Sequence, residues 1–240
     1  MMNSLSPQDR VFVLTGAGIS AESGLPTFRG ADGLWRGHRV EEVATPEAFR
    51  ANPELVWRFY SERRKRHATV VPNAAHRALA ELERALGDRF FLCTQNVDSL
   101  HEQAGSVRIM HMHGRLMQTR CSRESCRTSP FDDERGYLSR AEIPTCPKCG
   151  AMLRPHICWF GEVPFGMDRI FEELRACTVL LTIGSSGVVE PAASFVRMAR
   201  INKARAIYIG PEEPANGVFF DEVVLGKAGE VLPKLVKELV

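Results

Sequence analysis

The stretch Val11–Gly30, VFVLTGAGISAESGLPTFRG, constrains the fold of this 240-residue chain more than any other segment. A run of apolar and β-branched residues enters the turn Gly16-Ala17-Gly18, as at the end of a buried parallel strand. The spacing is that of a dinucleotide fingerprint, with Ala21 in place of its third glycine. Gly16 permits a tight turn, Gly18 lets the backbone approach a pyrophosphate, and Ala21 lets helix and strand pack closely. The segment therefore predicts a phosphate-binding turn in an α/β sheet.

The residues after this turn differ from an ordinary dinucleotide-binding helix. Ser23-Gly24-Leu25-Pro26 ends the helix almost at once, since proline cannot continue it. The following Thr27-Phe28-Arg29-Gly30 places an aromatic ring and a guanidinium on a glycine-flanked loop beside the predicted turn. We interpret this loop as a lid over the ligand, and a plain surface loop is the alternative.

Composition limits the chain to one sizeable core with a small inserted subdomain, because 44% of its residues are hydrophobic and 25% charged. The net charge of +2 is too balanced for an obligate nucleic-acid coat, and the basic run Arg63–His67 is typical of a solvated helix face. No segment is apolar enough to span a membrane, and the N-terminal residues lack a signal-peptide pattern. We therefore expect a cytoplasmic protein with reduced cysteines, and the sequence leaves the oligomeric state open.

Apolar strand patterns alternate with helical ones along the chain, which predicts an α/β fold with a doubly wound parallel, Rossmann-like sheet. The predicted strands after the first are Phe90–Thr94, Val107–Met110, Val179–Ile183 and Ala206–Ile209. The predicted helices are Pro53–Arg66, Asn73–Leu86, Gly166–Ala176 and Glu190–Lys203. Polar or glycine residues follow the four strands, at Gln95–Asp98, His111–Gly114, Gly184–Ser186 and Gly210–Glu212. Ligands bind at the carboxyl ends of such strands, so these residues are expected to converge on one crevice.

Two cysteine pairs mark a small metal-binding insertion. Cys121 and Cys126 are separated from Cys146 and Cys149 by a polar segment, which is close to the two-pair pattern of a structural zinc site. Such a segment has few core residues, so a metal is needed to stabilise it. We expect a zinc ribbon at 116–164 and a helical insertion at 31–71, which together form the small subdomain. The Rossmann-like part then covers about 8–30, 72–115 and 165–240 of a single domain, 1–240.

The ordered motifs of the chain are Gly16–Ser20, Phe28-Arg29, Thr94–Asp98, His113-Gly114, the two cysteine pairs and Trp159–Glu162. This set resembles the sirtuin family, the NAD-dependent protein lysine deacylases, from about Val11 to Leu232. Further residues resemble the class III subgroup, which removes succinyl and other acidic acyl groups. These residues are Leu153–His156 before Trp159, together with Ala44, Tyr60 and Arg63.

The resemblance implies NAD and zinc as cofactors and acylated-lysine proteins or peptides as substrates. The residues implied to contact NAD are Gly16, Ala17, Gly18, Ser20, Glu22, Thr27, Phe28, Arg29, Trp35, Gln95, Asn96, Val97, Asp98, Gly184, Ser185, Ser186, Gly210, Pro211, Glu212 and Ala228. The chain departs from the family at Ser185, where Thr is usual, and at Glu190, where class III members commonly have Tyr. Gly210 stands where Asn is common, so a partner of the adenosine ribose is missing, although Glu212 can still accept from a ribose hydroxyl.

The resemblance also implies a reaction and its catalytic residues. The acyl-lysine oxygen attacks C1′ of the nicotinamide ribose, and the products are nicotinamide, 2′-O-acyl-ADP-ribose and free lysine. His113 is implied as the general base, a role that suits the pKa of imidazole. A packed histidine is the alternative, and His101, His111 and His156 compete for the catalytic role.

Asn96 and Asp98 are implied to orient the leaving carboxamide of nicotinamide and an attacking water, and Gln95 to hold a ribose hydroxyl. The alternative for these side chains is capping of the next helix.

The resemblance places the acyl-lysine at Ala44, Tyr60, Arg63, Trp159, Phe160, Gly161, Glu162 and Val163. Ile157–Val163 is interpreted as an extended edge that pairs with a substrate peptide, or else as a plain buried strand. Tyr60 and Arg63 share one face of a predicted helix and can present a phenol and a guanidinium to one carboxylate. The alternative is that Tyr60 belongs to the apolar stripe and Arg63 is solvated.

Two other functions remain open at this point. An NAD-dependent ADP-ribosyltransferase begins with the same loss of nicotinamide. A non-catalytic zinc-ribbon protein that binds nucleic acid or senses NAD is the alternative from a different class.

Overall fold

The computed structural model describes residues 5–27 and 39–239. Its strands are β1 (Val11–Thr15), β2 (Phe90–Thr94), β3 (Ile109–His111), β4 (Gly114–Cys121), β5 (Phe131–Asp132), β6 (Leu153–Ile157), β7 (Val179–Ile183), β8 (Arg205–Gly210) and β9 (Glu222–Leu225). Its helices are α1 (Gly18–Ala21), α2 (Val40–Val43), α3 (Pro46–Ala51), α4 (Pro53–His67), α5 (Ala74–Leu86), α6 (Leu100–Gln103), α7 (Met167–Ala176), α8 (Phe195–Ile201) and α9 (Ala228–Leu239). In these ranges, no helix is both long enough and apolar enough to cross a membrane.

The larger sheet has six parallel strands in the order β3-β2-β1-β7-β8-β9. β1 lies between β2 and β7, and Thr15 at its end is level with Thr94 and Ile183. Every residue of β1 is buried, as expected for a strand covered on both faces. The carboxyl ends of β1, β2 and β7 therefore meet at one edge of the sheet, which is the predicted crevice.

Helices cover both faces of this sheet, which confirms the doubly wound fold. On one face Val13 packs in a core with Leu79 of α5 and Leu232 of α9. On the other face Phe12 packs in a core that includes Phe195 of α8 and the apolar residues of α7. Successive residues of β1 thus enter opposite cores, because side chains alternate along a strand.

The two helices predicted before β2 are confirmed, and local capping contacts mark their ends. Asn52 accepts a hydrogen bond from the N–H of Leu55 at 3.0 Å, and Asn73 accepts one from the N–H of Ala75 at 2.9 Å. Gly87 follows α5 with a φ of 57°, a value that favours glycine. The sequence therefore specifies these helix boundaries locally.

Two predicted elements begin later than expected. β3 starts after Val107 and Arg108 because their backbone N–H groups donate to the Glu83 carboxylate, at 3.1 and 2.8 Å, instead of to a neighbouring strand. The helix predicted for Glu190–Lys203 starts only at Phe195, after a 3-10 turn. The contact of Glu83 with the residues before β3 joins segments far apart in sequence, so a periodic pattern does not predict it.

The small module consists of α2–α4 and the antiparallel sheet β5-β4-β6. Its own apolar core contains Trp57 and Tyr60 from α4, Leu116 from β4 and Trp159 after β6. The helical segment and the cysteine-bearing segment, which are far apart in sequence, therefore pack on each other beside the larger sheet.

A buried arginine fixes α4 to the rest of this module. The Arg64 guanidinium donates to the carbonyl oxygens of Leu116, Arg135 and Gln118 at 2.9, 2.8 and 3.0 Å. It also lies 3.5 Å from the Asp133 carboxylate, and both side chains are 1% exposed. Asp133 also pairs with Arg135 at 2.7 Å, so loss of Arg64 would remove one of its two counter-charges and the donor of three carbonyl groups.

We predict that Arg64→Met lowers the free energy of unfolding by about 3–5 kcal/mol, because it leaves three carbonyl groups without their donor and removes one of the two cations beside Asp133. Chemical denaturation of both proteins measures this difference. Arg58→Met is the matched control on the same helix, since the exposed pair of Arg58 with Glu54 is expected to contribute only about 0–1 kcal/mol. Equal small losses for the two variants would contradict the structural role of Arg64.

Candidate active site

A cavity of about 720 Å³ lies where the carboxyl ends of β1, β2, β7 and β8 meet the small module. The predicted residues that line it from the sheet side are Gly16, Ala17, Gly18, Ser20, Thr27, Gln95, Asn96, Val97, Asp98, His113, Gly184, Ser185, Ser186, Pro211 and Glu212. Those from the small module are Ala44, Tyr60, Arg63, Trp159, Phe160, Gly161 and Glu162. Phe28, Arg29, Trp35 and most of the predicted lid lie outside the described residues.

A second cavity of about 400 Å³ adjoins the first and shares Gly18, Gly184 and Pro211 with it. Three further predicted NAD contacts, Glu22, Gly210 and Ala228, line this second cavity. The Glu22 carboxylate accepts a hydrogen bond from the N–H of Gly229 at 2.8 Å, so it also holds the first turn of α9.

The glycine turn after β1 packs directly on the loop after β7. The N–H of Gly18 donates to the carbonyl of Gly184 at 2.9 Å, and a Cβ on Gly18 would lie only 2.7 Å from the Gly184 Cα. A Cβ on Gly16 would lie 2.8 Å from the Gly184 oxygen. Gly16 and Gly18 therefore lack side chains first of all because the turn after β1 packs closely on the loop after β7. Ala21 is exposed, so its predicted role in helix–strand packing is wrong.

Asn96 and Asp98 lie next to each other in a buried polar pocket behind this turn. Asn96 Nδ2 donates to the Gly16 carbonyl at 3.2 Å and to Ser20 Oγ at 3.1 Å. Ser20 Oγ in turn donates to Asp98 Oδ2 at 3.0 Å, and Asp98 Oδ1 accepts from the N–H of Leu100 at 3.2 Å. Burial raises the pKa of Asp98, against the effect of these two bonds. Asp98 thus contacts the start of α6 and lines the cavity at the same time.

His113 is oriented by the backbone of Gln95. Its Nδ1 lies 3.0 Å from the Gln95 carbonyl oxygen, which can only accept, so we assign the proton to Nδ1 and the lone pair to Nε2. The Gln95 side chain donates to Ser185 Oγ at 3.0 Å, which links this histidine to the loop after β7. Burial lowers the pKa of His113 below 6.5, and the backbone bond opposes part of that shift. The imidazole is therefore neutral at physiological pH, as a base must be.

Of the four histidines that compete for the catalytic role, only His113 lines the cavity. His101 is fully buried, and desolvation lowers its pKa well below the ordinary value. His111 binds the Glu102 carboxylate at 2.7 Å. His156 stacks on an aromatic ring, with 4.6 Å between centroids.

Tyr60 and Trp159 form the floor of the cavity in the small module. The indole Nε1 of Trp159 donates to Tyr60 Oη at 2.9 Å, and both residues are almost fully buried. The Arg154 guanidinium lies 3.3 Å from the centroid of the Trp159 ring and donates to both oxygens of Glu162, at 2.6 and 2.9 Å. The indole is thus held by a cation on its face and a hydrogen bond at its edge.

The predicted extended edge Ile157–Val163 is wrong beyond its first residue. β6 ends at Ile157, and the chain then turns, because the N–H of Glu162 donates to the Trp159 carbonyl at 3.0 Å and Gly161 has a φ of 85°. Val163 is 78% exposed and does not line the cavity. This turn brings Glu162 back to Arg154, which an extended edge would not allow.

The four cysteines of the zinc pattern come together at the end of β4. Their Sγ atoms lie within 4.8 Å of one another, with 3.5 Å between Cys121 and Cys149 and 3.8 Å between Cys126 and Cys146. A tetrahedral zinc with four thiolate ligands needs sulfur separations of about 3.8 Å. These distances are far above a disulfide bond, so the donor set fits a structural zinc site.

The comparisons with known proteins agree with this geometry. The model of the Sir2 family matches residues 16–191 of the chain. The chain belongs to the Sir2 family. The NAD-dependent protein deacylase of Escherichia coli strain K12 is 49% identical over 232 residues, which are 96% of this chain and 82% of the relative. The protein of the same name from Shigella flexneri is also 49% identical, over 96% of this chain and 84% of its own length.

Solved Sir2 structures share the fold and contain the expected ligand. A complex of a Sir2 homologue with NAD has a TM-score of 0.86 at 42% identity, and the match covers 99% of this chain and 95% of that one. The ADP-ribose complex of a serine-to-alanine mutant of a Sir2 homologue has a TM-score of 0.87 at 42% identity, over 97% of this chain and 92% of that one. NAD and zinc are therefore the cofactors of this Sir2 protein.

Several residues that line this Sir2 cavity were not among the predicted site residues, and His67 and Tyr208 are two of them. His67 lines the cavity, and its Nε2 accepts a hydrogen bond from the N–H of Ser99 at 2.8 Å. Tyr208 lines the cavity from β8. His67 belongs to a basic run that resembles a solvated face, but a tyrosine near the end of an otherwise apolar strand is a signal that could have been used.

For the zinc site, we predict that Cys146→Ser loses the metal and lowers the melting temperature, because three thiolates no longer complete the tetrahedral shell. Elemental analysis and thermal unfolding measure both effects. Cys177→Ser is the control, since Cys177 is buried in the core under α7 and should keep about one zinc per chain. Wild-type protein purified without chelators and free of zinc would contradict the assignment.

For His113, we predict that kcat/KM rises with pH through a pKa below 6.5 and is constant above neutrality. Burial favours the neutral imidazole, so the active base form persists to lower pH than for a free histidine. His113→Ala should reduce kcat by about 10²–10⁴-fold without loss of NAD binding.

The matched control for this measurement is His156→Gln, which should keep the pH profile of the wild type because His156 does not line the cavity. An acidic limb with a midpoint above 6.5, or near-normal turnover of His113→Ala, would contradict the role of His113 as the base.

Proposed function

We propose that this Sir2 protein, an NAD-dependent protein deacylase, removes succinyl and malonyl groups as well as acetyl groups from lysine side chains. The observation that carries the proposal is that Tyr60 and Arg63, one helical turn apart on α4, both line the cavity on the side of the small module. A phenol and a guanidinium on one face are suited to a carboxylate at the far end of an acyl chain.

The hydroxyl of Tyr60 can donate a hydrogen bond to a ligand in the cavity. Its oxygen accepts from Trp159 Nε1, and this is its one hydrogen bond among the described residues, so its own proton is available to a ligand. Burial raises the pKa of Tyr60 to about 12, and the phenol therefore keeps that proton at any physiological pH. A carboxylate bound beside it would receive a hydrogen bond rather than meet a negative charge.

The charges around this part of the cavity also favour an acidic acyl group. Arg63 is close enough to Tyr60 to oppose the rise in its pKa. The carboxylate nearest to Trp159, that of Glu162, is already paired with Arg154 and Arg120. Ala44, whose side chain is small and buried, leaves room for a chain longer than acetyl. The acyl site thus combines space with a positive potential.

The sheet side of the cavity supplies the residues of the deacylation step. Bound NAD supplies the ribose carbon from which nicotinamide leaves. We assign Asn96 and Asp98 to hold the carboxamide of nicotinamide, and Gln95 to hold a ribose hydroxyl. We assign His113 Nε2 to accept the proton of a ribose hydroxyl, since its Nδ1 is fixed as a donor to Gln95.

Acylated-lysine proteins or peptides are the substrates that we propose. The turn after β6 lines the cavity, and its Phe160 is also 43% exposed to solvent. A Sir2 protein that is 26% identical, with a TM-score of 0.82, has been solved with a deacetylated p53 peptide and 3′-O-acetyl-ADP-ribose. A peptide on this side of the cavity would place its acyl-lysine over Trp159.

The test is Arg63→Met, measured as kcat/KM on peptides with succinyl-, malonyl-, glutaryl- and acetyl-lysine. Loss of a desolvated charge partner should cost the three acidic peptides about 2–5 kcal/mol of transition-state binding and the acetyl peptide little. Tyr60→Phe, which keeps the ring, should show the same selectivity with a smaller loss.

Arg58→Met is the control on the same helix, because Arg58 pairs with Glu54 on the surface. It should leave all four values of kcat/KM unchanged. An equal fall for all four peptides in Arg63→Met would mean that Arg63 supports the fold and does not bind the acyl carboxylate.

A further inference from the structure

Tyr208 carries a polar atom into the cavity that the residues assigned so far do not use. It lies on β8 and is 3% exposed, and its ring packs against Phe220 with 5.6 Å between centroids. Among the described residues its hydroxyl has no hydrogen-bond partner, and the residue lines the main cavity. Tyr208 Oη is not one of the buried unpaired polar atoms, so the hydroxyl is accessible to water or to a ligand in the cavity.

The position of this hydroxyl depends on Gly210. A Cβ on Gly210 would lie 2.3 Å from Tyr208 Oη, so the phenol fills the space where a side chain at position 210 would start. Gly210 itself has no side chain, and the next residue, Pro211, has no N–H group. Tyr208 is therefore the side chain that presents a donor at the end of β8.

The topology indicates which half of NAD meets this hydroxyl. The glycine turn after β1 is the pyrophosphate site, and β1 is central in the order β3-β2-β1-β7-β8-β9. Asn96, Asp98 and His113, the residues assigned to the nicotinamide half, follow β2 and β3 on one side of β1. The adenosine half must then extend over β7 and β8, where Ser185, Glu212 and Tyr208 line the cavity.

We propose that Tyr208 is an NAD-binding residue whose hydroxyl donates a hydrogen bond to a hydroxyl group of the adenosine ribose. Glu212 is close enough to Tyr208 to contribute, with burial, to the raised pKa of the phenol, so the phenol keeps its proton. A neutral donor beside a carboxylate acceptor matches a ribose diol, in which each hydroxyl both donates and accepts. The proposal concerns the cofactor alone and holds whichever acyl group is removed.

The test is the affinity of Tyr208→Phe for ADP-ribose, measured by titration calorimetry without any acyl substrate. Loss of one neutral hydrogen bond should weaken binding about three- to tenfold. The same titration with ADP-ribose analogues that lack the adenosine 2′- or 3′-hydroxyl identifies the partner. For the wild type, one of these analogues should bind more weakly than ADP-ribose. For Tyr208→Phe, that analogue and ADP-ribose should bind with equal affinity.

Tyr137→Phe is the matched control, because the Tyr137 hydroxyl donates to Asp133 in the small module and does not line the cavity. It should leave the affinity for ADP-ribose unchanged. The proposal is overturned if Tyr208→Phe binds ADP-ribose as tightly as the wild type. It is also overturned if both deoxy analogues lose the same factor in the variant as in the wild type. Either result leaves the acyl-group proposal untouched, since no acyl group is present.

Discussion

The contact on which the rest of the site depends is the one between the glycine turn after β1 and Gly184 after β7. No side chain separates the two backbones, since a Cβ on Gly16 or Gly18 would lie within 3 Å of Gly184 atoms. This contact aligns the carboxyl ends of the central strands, and the N–H groups of Gly18, Ile19 and Ser20 at the start of α1 donate to the carbonyls of Gly184, Gly16 and Ala17. Asn96 then binds the Gly16 carbonyl behind the same turn, where we propose that nicotinamide binds.

Buried cations hold the small module in a single arrangement beside this turn. Arg64 binds three carbonyl groups and Asp133, and Arg154 binds Glu162 while it covers the ring of Trp159. Burial lowers the pKa of both guanidinium groups, which shows that their charge is costly there. The helical segment and the cysteine-bearing segment are far apart in sequence, and the zinc site fixes only the second. We infer that the buried arginines are kept, despite the cost of burying their charge, because they hold these two segments in one specific packing arrangement.

The sequence predicted the elements with local signals and missed those set by distant contacts. β2 and β7 appear at their predicted bounds, and the helix after Asn73 ends at its predicted residue, Leu86. The start of β3 depends on Glu83, and the turn after Ile157 depends on the pairing of Glu162 with Arg154, so periodicity could report neither. Most predicted site residues line one of the two cavities, because polar residues at strand ends converge in any parallel sheet.

We propose that the cavity between the sheet and the small module transfers an acyl group from lysine to the ADP-ribose part of NAD, with release of nicotinamide. The most direct test incubates wild-type protein with NAD and a succinyl-lysine peptide and quantifies all products by mass spectrometry. We predict equal amounts of nicotinamide, free-lysine peptide and 2′-O-succinyl-ADP-ribose, with a higher kcat/KM than for the acetyl peptide. Release of nicotinamide with ADP-ribose attached to protein, and no free-lysine peptide from either substrate, would contradict the account.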